Sequence, residues 1–312
     1  MSKFHVPDAE VPETGPDDPR VGQFVTTCDI PLSERRAVII GCPSEEGIKL
    51  RGDRVGAAEG PDAIRQELYK MTLSTRGHAA FRSLLEGCED VGNLVLTGDL
   101  EEDQELISEV VADFLRQKIV PILLGGGQSV TYGHFLGYVK AAKRCNILGW
   151  DSRLDVQAKI SERGHSGSVL REALIHPSGI CQRCEVAGLL AHANSKPHLD
   201  FFKQHAGSVI WRSELTDSRI DEIYGWADNP MLTSFDLNGV DQTQAPGVTR
   251  PSVNGIPIDL WLYAARRAGE MSQVTSVDLV GLSPAHDIDR RTARLAALTV
   301  WTFLKGMARR LR

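Results

Sequence analysis

Apolar residues recur along this chain in two rhythms. Short blocks without polar alternation occur at 37–40, 119–124, 145–150, 208–211, 231–235 and 277–282. Between them lie longer stretches in which apolar side chains return every three or four positions. The clearest covers 101–118, where Leu106, Ile107, Val110, Val111, Phe114 and Leu115 form a helical stripe opposite a charged face,. Similar patterns cover 257–269 and 290–307, and Pro61 with Asp62 behind it opens another helix,. Pro121 stands near the start of its block, where a strand tolerates it. Strands that are apolar on both faces and alternate with helices predict a parallel sheet covered on each side. Residues 1–33 read as an irregular, Pro-rich arm and 45–60 as a Gly-rich loop. No repeat or linker interrupts 34–312, which reads as a single domain.

Composition narrows the classes. With 312 residues, 42% of them hydrophobic, the chain can bury a large core without cross-links,. A net charge of −6 gives no nucleic-acid footprint,. No apolar run is long enough for a membrane span, and the N-terminal stretch has no signal-peptide core. The six cysteines, Cys28, Cys42, Cys88, Cys145, Cys181 and Cys184, are scattered and read as reduced thiols of a cytoplasmic protein,. Cys181-x-x-Cys184 has no second pair and lies in a strand-like segment, which predicts buried thiols rather than a zinc or redox site.

Three strand ends carry unusual polar residues. Gly125-Gly126-Gly127-Gln128-Ser129 follows the block at 119–124, Asp151-Ser152-Arg153-Leu154-Asp155 the block at 145–150, and Asp236-Leu237-Asn238-Gly239-Val240-Asp241 the block at 231–235. Singly, each reads as a tight turn or a helix cap. Together they bring Asp151, Asp155 and Asp236 to the carboxyl ends of parallel strands, where such sheets bind ligands. Two carboxylates ~4 Å apart repel by about 4 kcal/mol at an effective dielectric of ~20. The cluster therefore needs a counter-charge, either Arg153 or a divalent cation.

At these residues the chain resembles the ureohydrolases, the family of arginase, agmatinase and formimidoylglutamase. The family's Gly-Gly-Asp-His-Ser loop is similar to Gly126-Gly127-Gln128-Ser129. Its Asp-Ala-His-x-Asp segment matches Asp151 to Asp155, and its Ser-x-Asp-x-Asp segment matches Ser234-Phe235-Asp236-Leu237-Asn238. The formimidoylglutamase branch is nearest. Gly41-Cys42-Pro43-Ser44-Glu45-Glu46-Gly47, Ser166-Gly167-Ser168-Val169-Leu170-Arg171, Ala245-Pro246-Gly247-Val248 and the segment from Arg290 to Ala297 all resemble it. The resemblance implies an arginase-like three-layer α/β/α sandwich around a parallel sheet of about eight strands. It also implies a homo-oligomer, a trimer or hexamer, and a small polar ligand. Arg171 would pair with a substrate carboxylate, beside Ser166.

Members of that family use two manganese ions to activate water. Of the ligand positions, Asp151, Asp155 and Asp236 are retained. Gln128 and Arg153 replace the two histidines, Asn238 replaces an aspartate, and Gly281 stands where a substrate-binding glutamate is common. A guanidinium offers no lone pair and stays protonated. Three carboxylates and Arg153 leave two negative charges, which one divalent ion or partial protonation would balance. The expectation is that the two-manganese cluster is not formed, with one weakly bound Mn²⁺ or none. The protein is then a pseudoenzyme, or a small-ligand or assembly protein, in which Arg153 pairs with the aspartates. The alternative is a hydrolase of C–N bonds in a linear amidine or guanidine such as N-formimidoyl-glutamate, using a single metal. His134 and His165 are not expected to supply ligands.

Overall fold

The computed structural model describes residues 3–26, 30–225 and 228–310. Cys28 lies outside them. In chain order the elements are β1 (Phe4–His5), α1 (Gly22–Val25), β2 (Ala37–Cys42), α2 (Glu46–Arg51), α3 (Gly60–Leu68), α4 (His78–Glu86), β3 (Cys88–Leu94), α5 (Leu100–Arg116), β4 (Val120–Gly125) and α6 (Ser129–Lys140). There follow β5 (Cys145–Trp150), α7 (Val169–Leu174), β6 (Cys181–Leu189), α8 (Lys196–Gln204), β7 (Gly207–Trp211), α9 (Asp217–Gly225), β8 (Met231–Asp236), α10 (Ile258–Glu270), β9 (Val274–Val280) and α11 (Arg291–Met307).

One sheet runs in the order β1-β3-β2-β4-β9-β8-β5-β6-β7. Strands β2 to β9 pair in parallel. The two-residue β1 lies antiparallel on β3, with Phe4 opposite Leu94. The expected parallel sheet is therefore present, with a short extra edge strand. Its central strands are apolar on both faces because each face is covered. Residues of α3, α4, α9, α10 and α11 share one hydrophobic core with the sheet. Residues of α5, α6 and α7, with Phe202 of α8, share the other. Asp99 caps α5 by accepting from the Glu101 and Glu102 amides, as its place before the helical stripe requires,.

Two stretches differ from the sequence reading. The arm is partly regular and lies against the domain: the Val21 amide bonds to Met71 O at 2.9 Å, and Val21 and Val25 are fully buried. The loop at 45–60 contains α2 and a 3₁₀ turn at Ala57–Glu59. Gly52, at φ 81°, ends α2, and the Glu45 carboxylate accepts the Gly56 amide at 2.7 Å. The cysteines among the described residues are free thiols, all buried except Cys181, which is half-buried. Burial pushes the Cys181 thiol up to about 12, leaving it a poor nucleophile,. No helix among the described residues is long and apolar enough to cross a membrane.

A fully buried cation ties α3 to β3. Arg65 grips Asp90 with Nε at 2.8 Å and Nη2 at 2.9 Å, and Nη1 reaches Asn93 Oδ1 at 2.5 Å. Tyr69 donates to the same carboxylate at 2.9 Å. The satisfied fork offsets the desolvation of both charges.

Candidate metal and substrate site

Strand order reverses around β9 and β8. The chain leaves β4 on one side of them and re-enters as β5 on the other. Such a switch point opens a crevice at the carboxyl ends of the strands, and all three polar strand ends meet there. Gln128 lies between β4 and α6, Asp151 directly follows β5, and Asp236 is the last residue of β8. The aromatic residues just before the two aspartates fix these ends. Trp150 and Phe235 stack with ring centroids 6.2 Å apart and planes 8° from parallel. Trp261 of α10 meets Phe235 edge-on at 5.2 Å, and Trp150 Nε1 donates to Tyr224 Oη at 3.0 Å. With the aromatic rings sunk in one core, the following residue in each strand end is turned to the crevice.

Asp155 reaches the same place from the loop. Its backbone is in the left-handed region, at φ 43°, a conformation that costs a non-glycine residue energy and persists where surrounding structure enforces it. Each of Asp151, Asp155 and Asp236 offers a carboxylate oxygen within 4.8 Å of the others, and all three are buried. Burial, followed by the charges of its neighbours Asp236 and Asp155, raises the Asp151 carboxyl well above the carboxylate range,. Burial and then Asp155 push Asp236 up to about 7, against a bond from the Asn238 amide. Without a cation, burial and mutual repulsion therefore favour the protonated forms of Asp151 and Asp236. Gln128 lines the same pocket, and its Oε1 is buried with no hydrogen-bond partner among the described residues. Three carboxylates and an unpaired amide oxygen form a hard, all-oxygen donor set that fits a divalent cation of the Mg²⁺ or Mn²⁺ kind.

Around this floor the pocket is lined by Arg51, Asp53, Arg153, Ser166, Asn238, Thr249 and Arg250. Four of the lining residues are aspartates and three are arginines, a formal balance of −1 where the sequence suggested −2. The extra groups form a chain of ion pairs. Arg51 Nη1 lies 3.5 Å from both Asp155 and Asp53, and Arg250 Nε lies 3.7 Å from Asp53. Ser166 Oγ donates to Asp53 at 3.4 Å. Burial raises the Asp53 carboxyl, and Arg51 opposes it.

Arg153 departs from its expected role. Among the described residues it forms no ion pair with the aspartates. Its Nη1 donates to Ser152 Oγ at 3.2 Å, Arg250 O at 3.2 Å and Ser252 Oγ at 3.1 Å. A nearby carbonyl and two hydroxyls satisfy the donor, so the guanidinium turns aside and leaves the carboxylate oxygens open. Arg171 lies apart from the pocket. Its Nε donates to Val156 O at 2.8 Å and its guanidinium lies 3.7 Å from the Phe201 ring centroid, so it serves packing and does not line the pocket,. Ser166 does line it. His134 is buried on α6 between Asp278 at 2.8 Å and Ser276 at 2.6 Å, and His165 bonds Ala158 O at 2.9 Å. Neither lines the pocket, and both are buried. Gly281, at φ 88°, bonds Gly126 O through its amide at 2.9 Å. A Cβ there would meet Asp236 Oδ1 at 2.4 Å, so a side chain at this position would be strained and would have to shift the Asp236 carboxylate.

Sequence reasoning missed Arg51, Asp53, Thr249 and Arg250. They sit on α2 and loops far apart in the chain, and only the charged run Arg51-Gly52-Asp53-Arg54 hinted at them.

The comparisons agree with this geometry. The sequence model of the arginase family matches residues 35–305. A formimidoylglutamase of Rhodococcus opacus (strain B4) is 30% identical over 290 residues, covering 88% of this chain and 87% of that protein. One of Nocardia farcinica (strain IFM 10152) is 31% identical over 270 residues, covering 83% of each. Among solved structures, a Trypanosoma cruzi formiminoglutamase with Mn²⁺ superposes with a TM-score of 0.86 at 25% identity, over 94% of this chain and 99% of that one. These relatives favour the hydrolase alternative over the pseudoenzyme expected from the substitutions. The chain belongs to the arginase family, on its formimidoylglutamase-like branch.

Proposed function

We propose that the protein hydrolyses the C–N bond of a linear amidine of the N-formimidoyl-glutamate type, with a divalent cation held by Asp151, Asp155, Asp236 and Gln128. The observation that carries this reading is the cluster of three buried carboxylates beside an unpaired buried amide oxygen. It lies in a chain 30% identical to a formimidoylglutamase. A bound cation would supply a Lewis acid that lowers the pKa of water and polarises the amidine.

The protein's own groups do the rest. Asp151 and Asp236, whose carboxyls burial raises, would be ionised as ligands of the cation,. Arg250 takes the place the sequence assigned to Arg171. It lines the pocket, and its Nη1 is buried with no partner among the described residues. A guanidinium with a free donor suits a substrate carboxylate, which a glutamate-like molecule offers. Arg51 and Asp53 hold Arg250 and Asp155 in register through their ion pairs. In the overall reaction the water oxygen becomes the formamide carbonyl. One water proton goes to the imino nitrogen and the other to the departing glutamate nitrogen.

Formamide release by purified protein supplied with Mn²⁺ and N-formimidoyl-glutamate tests this. Turnover above background, lost in Asp236→Ala, supports the reading; turnover at background removes it. A second reading, ligand binding without turnover, is favoured by Arg153 and Asn238 at the replaced ligand positions. It predicts substrate binding by calorimetry with no formamide.

A further inference from the structure

We propose that this site takes one divalent cation, and that the side chains standing at the second ion's ligand positions have become a latch for the loop at residues 249–252. The inference builds on the proposed function for its chemistry, but occupancy is measured apart from turnover.

The first position offers the three carboxylates, with the unpaired Gln128 amide oxygen in the same pocket. The second is not short of side chains; its side chains are committed elsewhere. Asn238 Oδ1 accepts the Arg250 amide at 2.6 Å and Thr249 Oγ1 at 3.2 Å, and its Nδ2 donates to Thr249 Oγ1 at 3.0 Å. Both lone-pair directions of that oxygen are therefore used by the loop. Arg153 holds the same loop from the other side, through Arg250 O and Ser252 Oγ at 3.2 and 3.1 Å. Ser152 Oγ adds a bond to Ser252 Oγ at 2.7 Å. Residues 249–252 are thus tied down through one backbone amide, one backbone carbonyl and two hydroxyls, by side chains on the loops that carry Asp151 and Asp236.

The latch has a purpose at the pocket. It fixes the backbone of Arg250, whose side chain reaches Asp53, which in turn pairs with Arg51 beside Asp155. A second cation would have to take the Asn238 oxygen from the loop and would find a guanidinium, with no lone pair to give, at the Arg153 position,. Gly281 has no side chain with which to supply a replacement ligand.

The test is a count. Wild-type protein is equilibrated with Mn²⁺, freed of excess metal, and examined by metal analysis and electron paramagnetic resonance. The expected result is one ion per chain with the hyperfine spectrum of an isolated Mn²⁺. Asp236→Ala is expected to lose it. The triple variant Gln128→His, Arg153→His, Asn238→Asp is expected to take up two ions with an exchange-coupled spectrum. Two coupled ions in the wild type, or none, would overturn the proposal, and this arm decides even if the triple variant fails to fold. One ion without turnover leaves the count standing and removes the hydrolase reading. Two ions with turnover does the reverse.

Discussion

Removing the cation should leave a protein whose stability falls as pH rises toward neutrality. The perturbation is chelation, and the cause is Asp236. Its carboxyl ordinarily titrates near 3.8 and is pushed up to about 7 in the fold, chiefly by burial. The folded state therefore binds a proton that the unfolded state has released over this interval, and folding weakens with each step upward in pH. The stabilising proton is fully held below the unfolded value and lost as pH rises through the folded one. A shift of this size corresponds to about 4 kcal/mol at the upper limit. Asp151, raised in the same direction, adds to the trend, and so does Asp53. With a denaturant slope of about 3 kcal/mol per molar urea, the midpoint should drop by about 1 M between pH 5 and pH 8. A saturating divalent cation should reverse the trend, because it favours the ionised carboxylates. At one hundred times its dissociation constant it adds about 2.7 kcal/mol. Urea titrations in chelator and in Mn²⁺, for wild type and Asp236→Asn, supply the four curves. An apo midpoint that stays level or climbs over this range would refute the reasoning, as would an Asn variant that keeps the full pH dependence.

Further outcomes follow from the same structure. Arg65→Leu should cost about 3–5 kcal/mol in urea unfolding, because it strands the buried Asp90 carboxylate,. Gly126→Ala should destabilise by more than about 2 kcal/mol and weaken Mn²⁺ binding in a metal titration. Its Cβ would lie 1.9 Å from Ser44 O, forcing a shift in the turn that carries Gln128,. Arg171→Ala should leave the KM for N-formimidoyl-glutamate within twofold of wild type and lower stability by about 1 kcal/mol, through loss of the Phe201 contact,. Arg250→Ala, by contrast, should raise that KM at least tenfold in a steady-state assay, since it removes the partner offered to the substrate carboxylate.

The residues that were legible from sequence share a physical cause. A central parallel strand is buried on both faces, so β2, β4, β5 and β8 show as unbroken apolar runs, and the polar residues that end them stand out. That is why Gln128, Asp151, Asp155 and Asp236 stand out in the sequence. β3 was not legible because its inward positions are polar: Asp90 and Asn93 serve the buried Arg65, so the run Cys88–Leu94 lacks the apolar signature. α2 was hidden because one turn and a half of helix has no stripe to read. The orientation of Arg153 was illegible for a different reason. Its identity at a ligand position suggested a counter-ion, but the nearby Arg250 carbonyl and Ser252 hydroxyl, nearly a hundred residues away, compete for its donors and win. Arg250 itself comes to the site through that tertiary contact, the bond from its amide to Asn238 and its pairing with Asp53.

The account rests on an oxygen cage built from three strand-end loops. Anomalous diffraction at the manganese edge, from crystals soaked in Mn²⁺, examines that cage directly. A single strong peak within bonding distance of Asp151, Asp155, Asp236 and the Gln128 amide oxygen is the predicted result. A site that stays dark at saturating metal, or a peak bound elsewhere on the chain, would contradict it.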